Sequence, residues 1–204
     1  SKKIKLLPII LNDEKKFSTD HQLSKKMFSF DRNKFLICNI SEDLNKPNKR
    51  INELIDCIDK DQFFNKSNTE IILVGEFYKK FISKKGIHIN YIGKINDDFT
   101  KKVLLSSVDV LTLSSKIETF GQVVLEALNE GIPCVVFKNL GASDLISHKK
   151  NGYNVEENNF TDFSKGLSWV LSNLKEKKIE IKKNFNLNFN EKLIIEDYID
   201  FIKP

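Results

Sequence analysis

The chain has 204 residues, 40% hydrophobic and 30% charged, a size and balance that suit one globular domain with its own core and exclude a disordered tail. Its net charge of +5 is carried almost wholly by lysine, with arginine only at Arg32 and Arg50, and alternates with Asp, Glu and Asn. Nucleic-acid recognition leans on clustered arginine with interleaved aromatics and is not expected; the use left for the charge is peripheral contact with an anionic membrane face.

Cys38, Cys57 and Cys134 sit singly in apolar runs, and His21, His88 and His148 lie far apart, so the thiols are expected to be reduced core residues and no metal site is expected. No apolar run approaches the ~18 residues of a membrane span. The opening residues 1–10 are too short for a signal-peptide core and carry no small-residue cleavage site, so a cytoplasmic location is expected.

In chain order, residues 1–33 form an irregular lead-in, with an apolar segment from Ile4 to Leu11 and then a polar stretch without period. Phe35 to Ile40 is a short continuous apolar run, as expected of a strand buried on both faces. After the polar loop Ser41 to Lys49, Ile51, Leu54, Ile55 and Ile58 recur at helical spacing. The alternation continues with a strand from Glu70 to Val74 ending at Gly75, a helix from Phe77 to Ile82, and a strand from Ile87 to Ile92 ending at Gly93. A helix from Lys101 to Ser106, a strand from Asp109 to Leu113, a helix from about Phe120 to Glu130 and a strand from Pro133 to Phe137 follow. A short helix near Ser143 to Ser147, a strand from Gly152 to Val155 and a helix from Phe160 to Leu174 close the core at 34–174. The tail 175–204 begins rich in lysine and ends in an amphipathic helix outlined by Leu193, Ile194, Tyr198, Phe201 and Ile202.

Strands separated by helices of this length need right-handed crossovers, which predicts an α/β doubly wound parallel sheet, Rossmann-like, in a single domain over 1–204. Ligands of such sheets bind outside the carboxyl ends of the strands, which directs attention to the loops beginning at Asn39, Gly75, Gly93 and Ser114.

The segment Leu111 to Leu128 runs from strand through loop into helix. Thr119 and Gln122 have capping-box spacing, which would open the helix at about Phe120 and leave its first amides as an anion site suited to a diphosphate. Gly121 would let a ligand approach the backbone. Glu118 before the helix and Glu126 two turns into it are acceptors for sugar or ribose hydroxyls. His148 is a surface residue with some capacity for proton transfer, and Trp169 a packing residue.

The stretch Glu118-Thr119-Phe120-Gly121-Gln122-Val123-Val124-Leu125-Glu126-Ala127-Leu128-Asn129-Glu130-Gly131-Ile132-Pro133-Cys134-Val135-Val136 resembles the signature of the group 1, or family 4, retaining glycosyltransferases of GT-B fold. Ile71 to Gly75, Ile89 to Gly93, Ser107 to Val110 and Asn151 to Val155 resemble its flanking landmarks, so that the resemblance spans roughly 35–174. It implies the C-terminal, donor-binding half of a GT-B enzyme that transfers a hexosyl group from a nucleoside-diphosphate sugar, with retention, in polysaccharide or glycolipid synthesis. Glu118 would face the donor sugar, the amides around Thr119, Phe120, Gly121 and Gln122 would meet the diphosphate, and Glu126 would hold the ribose. Lys49 would neutralise the leaving diphosphate, and Gly75 and Gly93 would approach the base.

No metal cofactor is implied, since cation and amides take that role. The segment Ile4 to Asn12 resembles the interdomain crossing, so the saccharide or lipid-linked acceptor would come through an N-terminal domain outside this chain, and the chain alone is expected to bind donor without transferring sugar. Asn39-Ile40 stands where the family has Gly-Arg, and Lys49-Arg50 where it has Lys-Gly, so Arg50 is the candidate to replace the family arginine on the diphosphate. A non-catalytic nucleotide-binding or assembly module, and an epimerase or phosphorylase on the same fold, stay open as alternatives.

Overall fold

The computed structural model describes residues 20–118, 120–173 and 181. The chain runs α1 (His21–Met27), β1 (Phe35–Asp43), α2 (Ile51–Lys60), β2 (Thr69–Glu76), β3 (His88–Ile92), α3 (Asp98–Ser107), β4 (Val110–Leu113), α4 (Gln122–Asn129), β5 (Cys134–Phe137), β6 (Gly152–Val155) and α5 (Phe160–Ser172), with 3-10 turns at Pro47–Lys49 and Gly141–Leu145. The strands form one parallel sheet in the order β3-β2-β1-β4-β5-β6, the doubly wound arrangement whose strand order reverses between β1 and β4. The expected α/β class therefore holds.

The strands lie where the sequence is continuously apolar. Leu36, Ile37 and Cys38 of β1, Ile71 to Leu73 of β2 and Val110 and Leu111 of β4 are fully buried, because crossover helices cover both faces of the sheet. α1 and α4 pack against α3, and α2 packs against α5. Burial pushes the thiol of Cys57 up to about 12 and those of Cys38 and Cys134 well above the ordinary range, as befits inert core residues.

Four expected elements differ. Part of the expected irregular lead-in is α1, capped by the Asp20 carboxylate, which accepts from the Leu23 amide at 2.8 Å. Its Lys25 is buried and donates to Asp109 Oδ2 at 3.1 Å and the Lys34 carbonyl at 3.0 Å, a long-range anchor that local periodicity does not reveal. Residues 77–82 form a loop, not a helix. Of their apolar side chains only Phe81 is buried, and its backbone N–H and carbonyl are taken by the Tyr91 hydroxyl at 2.5 and 2.9 Å instead of by helical partners.

α3 opens at Asp98, ahead of Lys101, because Asp97 caps it through the Thr100 amide at 2.7 Å. β1 runs on to Asp43, past the expected loop start at Asn39, and its register with β2 shifts between Ile40 and Asp43. The segments Ile4 to Leu11 and 182–204, with the expected interdomain crossing and terminal helix, lie outside the described residues.

Candidate functional site

At the β1–β4 seam, where the strand order reverses, stands Asn39, 2% exposed. Its amide donates to the Thr112 carbonyl at 3.1 Å, Thr112 Oγ1 at 3.2 Å and Ser114 Oγ at 3.3 Å, while its oxygen accepts from Ser41 Oγ at 3.3 Å. The position expected to open a Gly-Arg loop is thus a satisfied buried polar crosslink, and Ile40 beside it supplies no cation.

Ser114 extends the same network, donating to the Lys49 carbonyl at 2.7 Å, and the Lys116 amide donates to the Asn48 carbonyl at 2.7 Å. These bonds stitch the loop after β1 to the loop after β4. They bring the backbone of Lys49 to the loop that carries Glu118, whose own carbonyl accepts from the Gly141 amide at 3.3 Å. Among the described residues neither the Lys49 ammonium nor the Glu118 carboxylate has a side-chain partner, and both are half-buried. An unpaired cation and an unpaired anion are therefore held on adjoining loops at the carboxyl edge, one suited to phosphate and the other to hydroxyls.

The helix start differs from the expected capping box. α4 opens at Gln122 with Gly121 as N-cap at φ +74°, and no side chain caps it. Gln122 is the first helical residue rather than the third, so its amide group turns instead to Glu126 Oε1 at 3.1 Å; Thr119 lies outside the described residues. A Cβ on Gly121 would lie 2.4 Å from Ala142 Cβ. That space is filled by the 3-10 turn after β5, so the glycine serves a left-handed entry and tight packing, not ligand approach on that side. In the first turn of α4 the Val124 amide donates to the Gly121 carbonyl at 2.8 Å, and among the described residues the amides of Gln122 and Val123 have no acceptor, at the helix end that follows β4. Phe120, partly buried, packs on the core beneath.

Glu126 is placed in the second turn of α4 with a partner that sequence spacing did not indicate. Lys101 of α3 donates to its Oε1 at 2.8 Å and lies 3.4 Å from Asp98 Oδ1. Burial lowers the Lys101 pKa, but the bonds and charges of Glu126 and Asp98 together outweigh it and hold the ammonium above its ordinary range.

Arg50, at φ +57°, is not poised in the same way as Lys49. Its guanidinium lies 4.5 Å from the centroid of Phe160 and 5.0 Å from that of Phe137, and donates to Asn158 Oδ1 at 2.9 Å. Gly75 lies inside β2, not after it, at φ +137°, and a Cβ there would come within 1.8 Å of the Ser41 carbonyl oxygen; its need is the close approach of β1 at the register shift. Gly93 is exposed with open space around it, and next to it Lys94 lies 3.8 Å from Glu76 at the end of β2.

His148 is exposed, accepts from the Asn154 amide at 3.2 Å, and has a pKa below its ordinary value because burial, Lys149 and Lys138 all disfavour the cation. Trp169 packs against the core. Among the described residues no three His, Cys, Asp or Glu side chains gather as a metal site. A groove of about 400 Å³ runs between α2 and α5 past Glu53, Lys60, Phe160 and Lys165, away from the β1–β4 seam. The seam is the better candidate, because its two loops are joined by hydrogen bonds and carry Lys49 and Glu118.

The model of the family described as glycosyl transferases group 1 matches residues 22–186, which include every described element of the sheet. The chain belongs to this family. An uncharacterised glycosyltransferase of Haemophilus influenzae is 34% identical over 86 residues, covering 42% of this chain and 24% of that protein. Among solved structures, Anabaena HepE in complex with UDP-glucose matches at a TM-score of 0.69 and 18% identity, over 88% of this chain and 50% of that one. WaaG, a glycosyltransferase involved in lipopolysaccharide biosynthesis, matches at a TM-score of 0.70 and 17% identity, over 91% and 51%. At such identities the structures establish the fold of this group 1 glycosyltransferase domain, and the chain spans about half of their length. Among the described residues no helix is long and apolar enough to cross a membrane.

Proposed function

We propose that this domain is the C-terminal, donor-binding half of a retaining glycosyltransferase and takes a nucleoside-diphosphate sugar at the carboxyl edge between β1 and β4. The observation that carries this reading is the stitching of the Lys49 loop to the loop that leads through Glu118 into α4, with the Lys49 ammonium and the Glu118 carboxylate both unpaired among the described residues, in a group 1 domain. The complex of HepE with UDP-glucose supports a nucleotide sugar as the donor class.

As the bond between the anomeric carbon and the diphosphate breaks, negative charge grows on the leaving group. Lys49 and the α4 amides, through Gly121 and Gln122, stabilise that charge where it develops, with Phe120 supporting the turn from below. Glu118 accepts from hydroxyls of the transferred hexose and fixes its orientation, and Glu126 accepts from the ribose. This arrangement calls for no metal. The acceptor, a saccharide or lipid-linked saccharide, is brought by a second domain across the cleft, and the +5 charge suits peripheral contact with the inner face of a membrane.

Thermal unfolding with UDP, GDP, ADP and their sugars tests the reading. A nucleotide at a hundredfold excess over its Kd should raise Tm by roughly 5–10 °C for a domain of this size. No stabilisation by any of them would instead favour a non-catalytic module, a reading to which Ile40 in place of the family arginine lends weight.

A further inference from the structure

The α3–α4 contact carries two ion pairs of the same kind. Deeper in, Lys102 lies 3.4 Å from Glu130, whose side chain is 6% exposed and also accepts from Ser106 Oγ at 3.2 Å. Nearer the carboxyl edge, Lys101 is bonded to Glu126 at 2.8 Å, with side chains 25% and 15% exposed. The two pairs differ in what is left over. Lys101 and Gln122 both donate to Glu126 Oε1, and among the described residues Oε2 has no hydrogen-bond partner and is not sealed from solvent. Two donors on one oxygen fix the rotation of the carboxylate and leave the other oxygen able to accept.

We propose that Lys101 is a positioning residue for ribose recognition: with Gln122 it clamps Glu126 through Oε1 so that Oε2 is presented, already oriented, to the ribose hydroxyls of the donor nucleotide. This rests on the reading of the edge as a donor site. A carboxylate held by two donors loses little freedom when it accepts a hydroxyl, so its hydrogen bond is realised nearly in full. Without Lys101 the same carboxylate rotates and is solvated, and its hold on a hydroxyl weakens although the acceptor is still there. Lys102 is the internal control, for its loss removes an interhelical pair without touching the oriented oxygen.

The test is calorimetric titration of the 204-residue chain and its variants with UDP, GDP and ADP. The tightest of these is then compared with its 2′-deoxy form. Wild type should prefer the ribonucleotide by about tenfold or more, the worth of one hydrogen bond to a charged group. Lys101→Met should reduce that preference to near unity, Lys101→Arg should restore part of it, and Lys102→Met should leave it intact while lowering Tm.

An unchanged ribose preference in Lys101→Met, with wild type discriminating, overturns the proposal and leaves the donor-site reading standing. Tighter ribonucleotide binding by Lys101→Met also overturns it, since the pair would then lock the carboxylate away. If Lys101→Met does not fold, Gln122→Leu carries the same expectation of a lowered preference, and an unchanged one overturns the clamp. Failure of wild type to bind any of the three nucleotides overturns the donor-site reading and the clamp with it.

Discussion

Two cations end the loop after β1, and their surroundings separate them. Lys49 gives its carbonyl to Ser114 and keeps its ammonium unpaired among the described residues, whereas the Arg50 guanidinium rests on two phenyl rings and bonds Asn158. A stacked, hydrogen-bonded guanidinium contributes to holding its loop against β5 and α5. Lys49→Ala should therefore weaken nucleoside-diphosphate binding by roughly ten- to a hundredfold, the loss of one charge-assisted contact of about 1.5–3 kcal/mol. Arg50→Ala should lower Tm and change nucleotide affinity much less. Titration calorimetry paired with thermal unfolding distinguishes these outcomes, and equal losses of affinity in both variants would return Arg50 to the diphosphate.

At the scale of elements, the attachment of α1 is the most exposed to single changes. Asp109, 5% exposed, receives Lys25 at 3.1 Å, the Leu36 amide at 2.9 Å and His21 Nε2 at 3.2 Å, so it ties α1, β1 and the entry to β4 together. Asp109→Ala leaves the Lys25 charge buried without its counter-ion, and removing one partner of such a pair costs about 3–5 kcal/mol. Urea unfolding should register that loss, and the double variant Lys25→Met with Asp109→Ala should recover part of it, because no charge is then stranded. A double variant no more stable than Asp109→Ala would assign the loss to the Leu36 amide instead.

This anchor also marks the limit of what the sequence discloses. β1, β2, β4 and β5 are legible because a strand covered on both faces is a run of apolar residues, a purely local signal. Their parallel direction follows from helical crossovers, which are general, whereas their order is set by long-range pairing that the sequence does not reveal. α1 is not legible, since its buried cation finds its acceptor 84 residues away. The apolar spacing of 77–82 imitates a helix, yet Tyr78 and Ile82 are 81% and 82% exposed, because Tyr91 claims the Phe81 backbone. In the site, the positions of Glu118 and Glu126 on a loop and helix at the carboxyl edge were readable. The Lys101 clamp, the Asn39 crosslink and the filled space beside Gly121 were not, for each depends on an element distant in sequence.

At the scale of the whole molecule, the proposed donor site lies along the carboxyl edge of one parallel sheet. On the donor-site proposal, recognition would need only groups on this edge: Lys49 and the α4 amides for phosphate, Glu118 and Glu126 for hydroxyls. Transfer needs an acceptor nucleophile held within about 3–3.5 Å of the anomeric carbon and shielded from bulk water, and a single open edge provides neither the second contact surface nor the exclusion. The matched structures, about twice as long, have chain enough for a facing domain. Binding and turnover should therefore separate. The 204-residue chain should be stabilised by its nucleotide and nucleotide sugar to a similar degree, since most contacts fall on the nucleoside diphosphate. Incubated with the stabilising nucleotide sugar and saccharide or lipid-linked acceptors, it should release nucleotide no faster than the uncatalysed background, measured by coupled nucleotide release and mass analysis of the acceptor. Sugar transfer by this chain alone would mean that the edge between β1 and β4 holds acceptor as well as donor, and the division of the cleft between two domains would have to be given up.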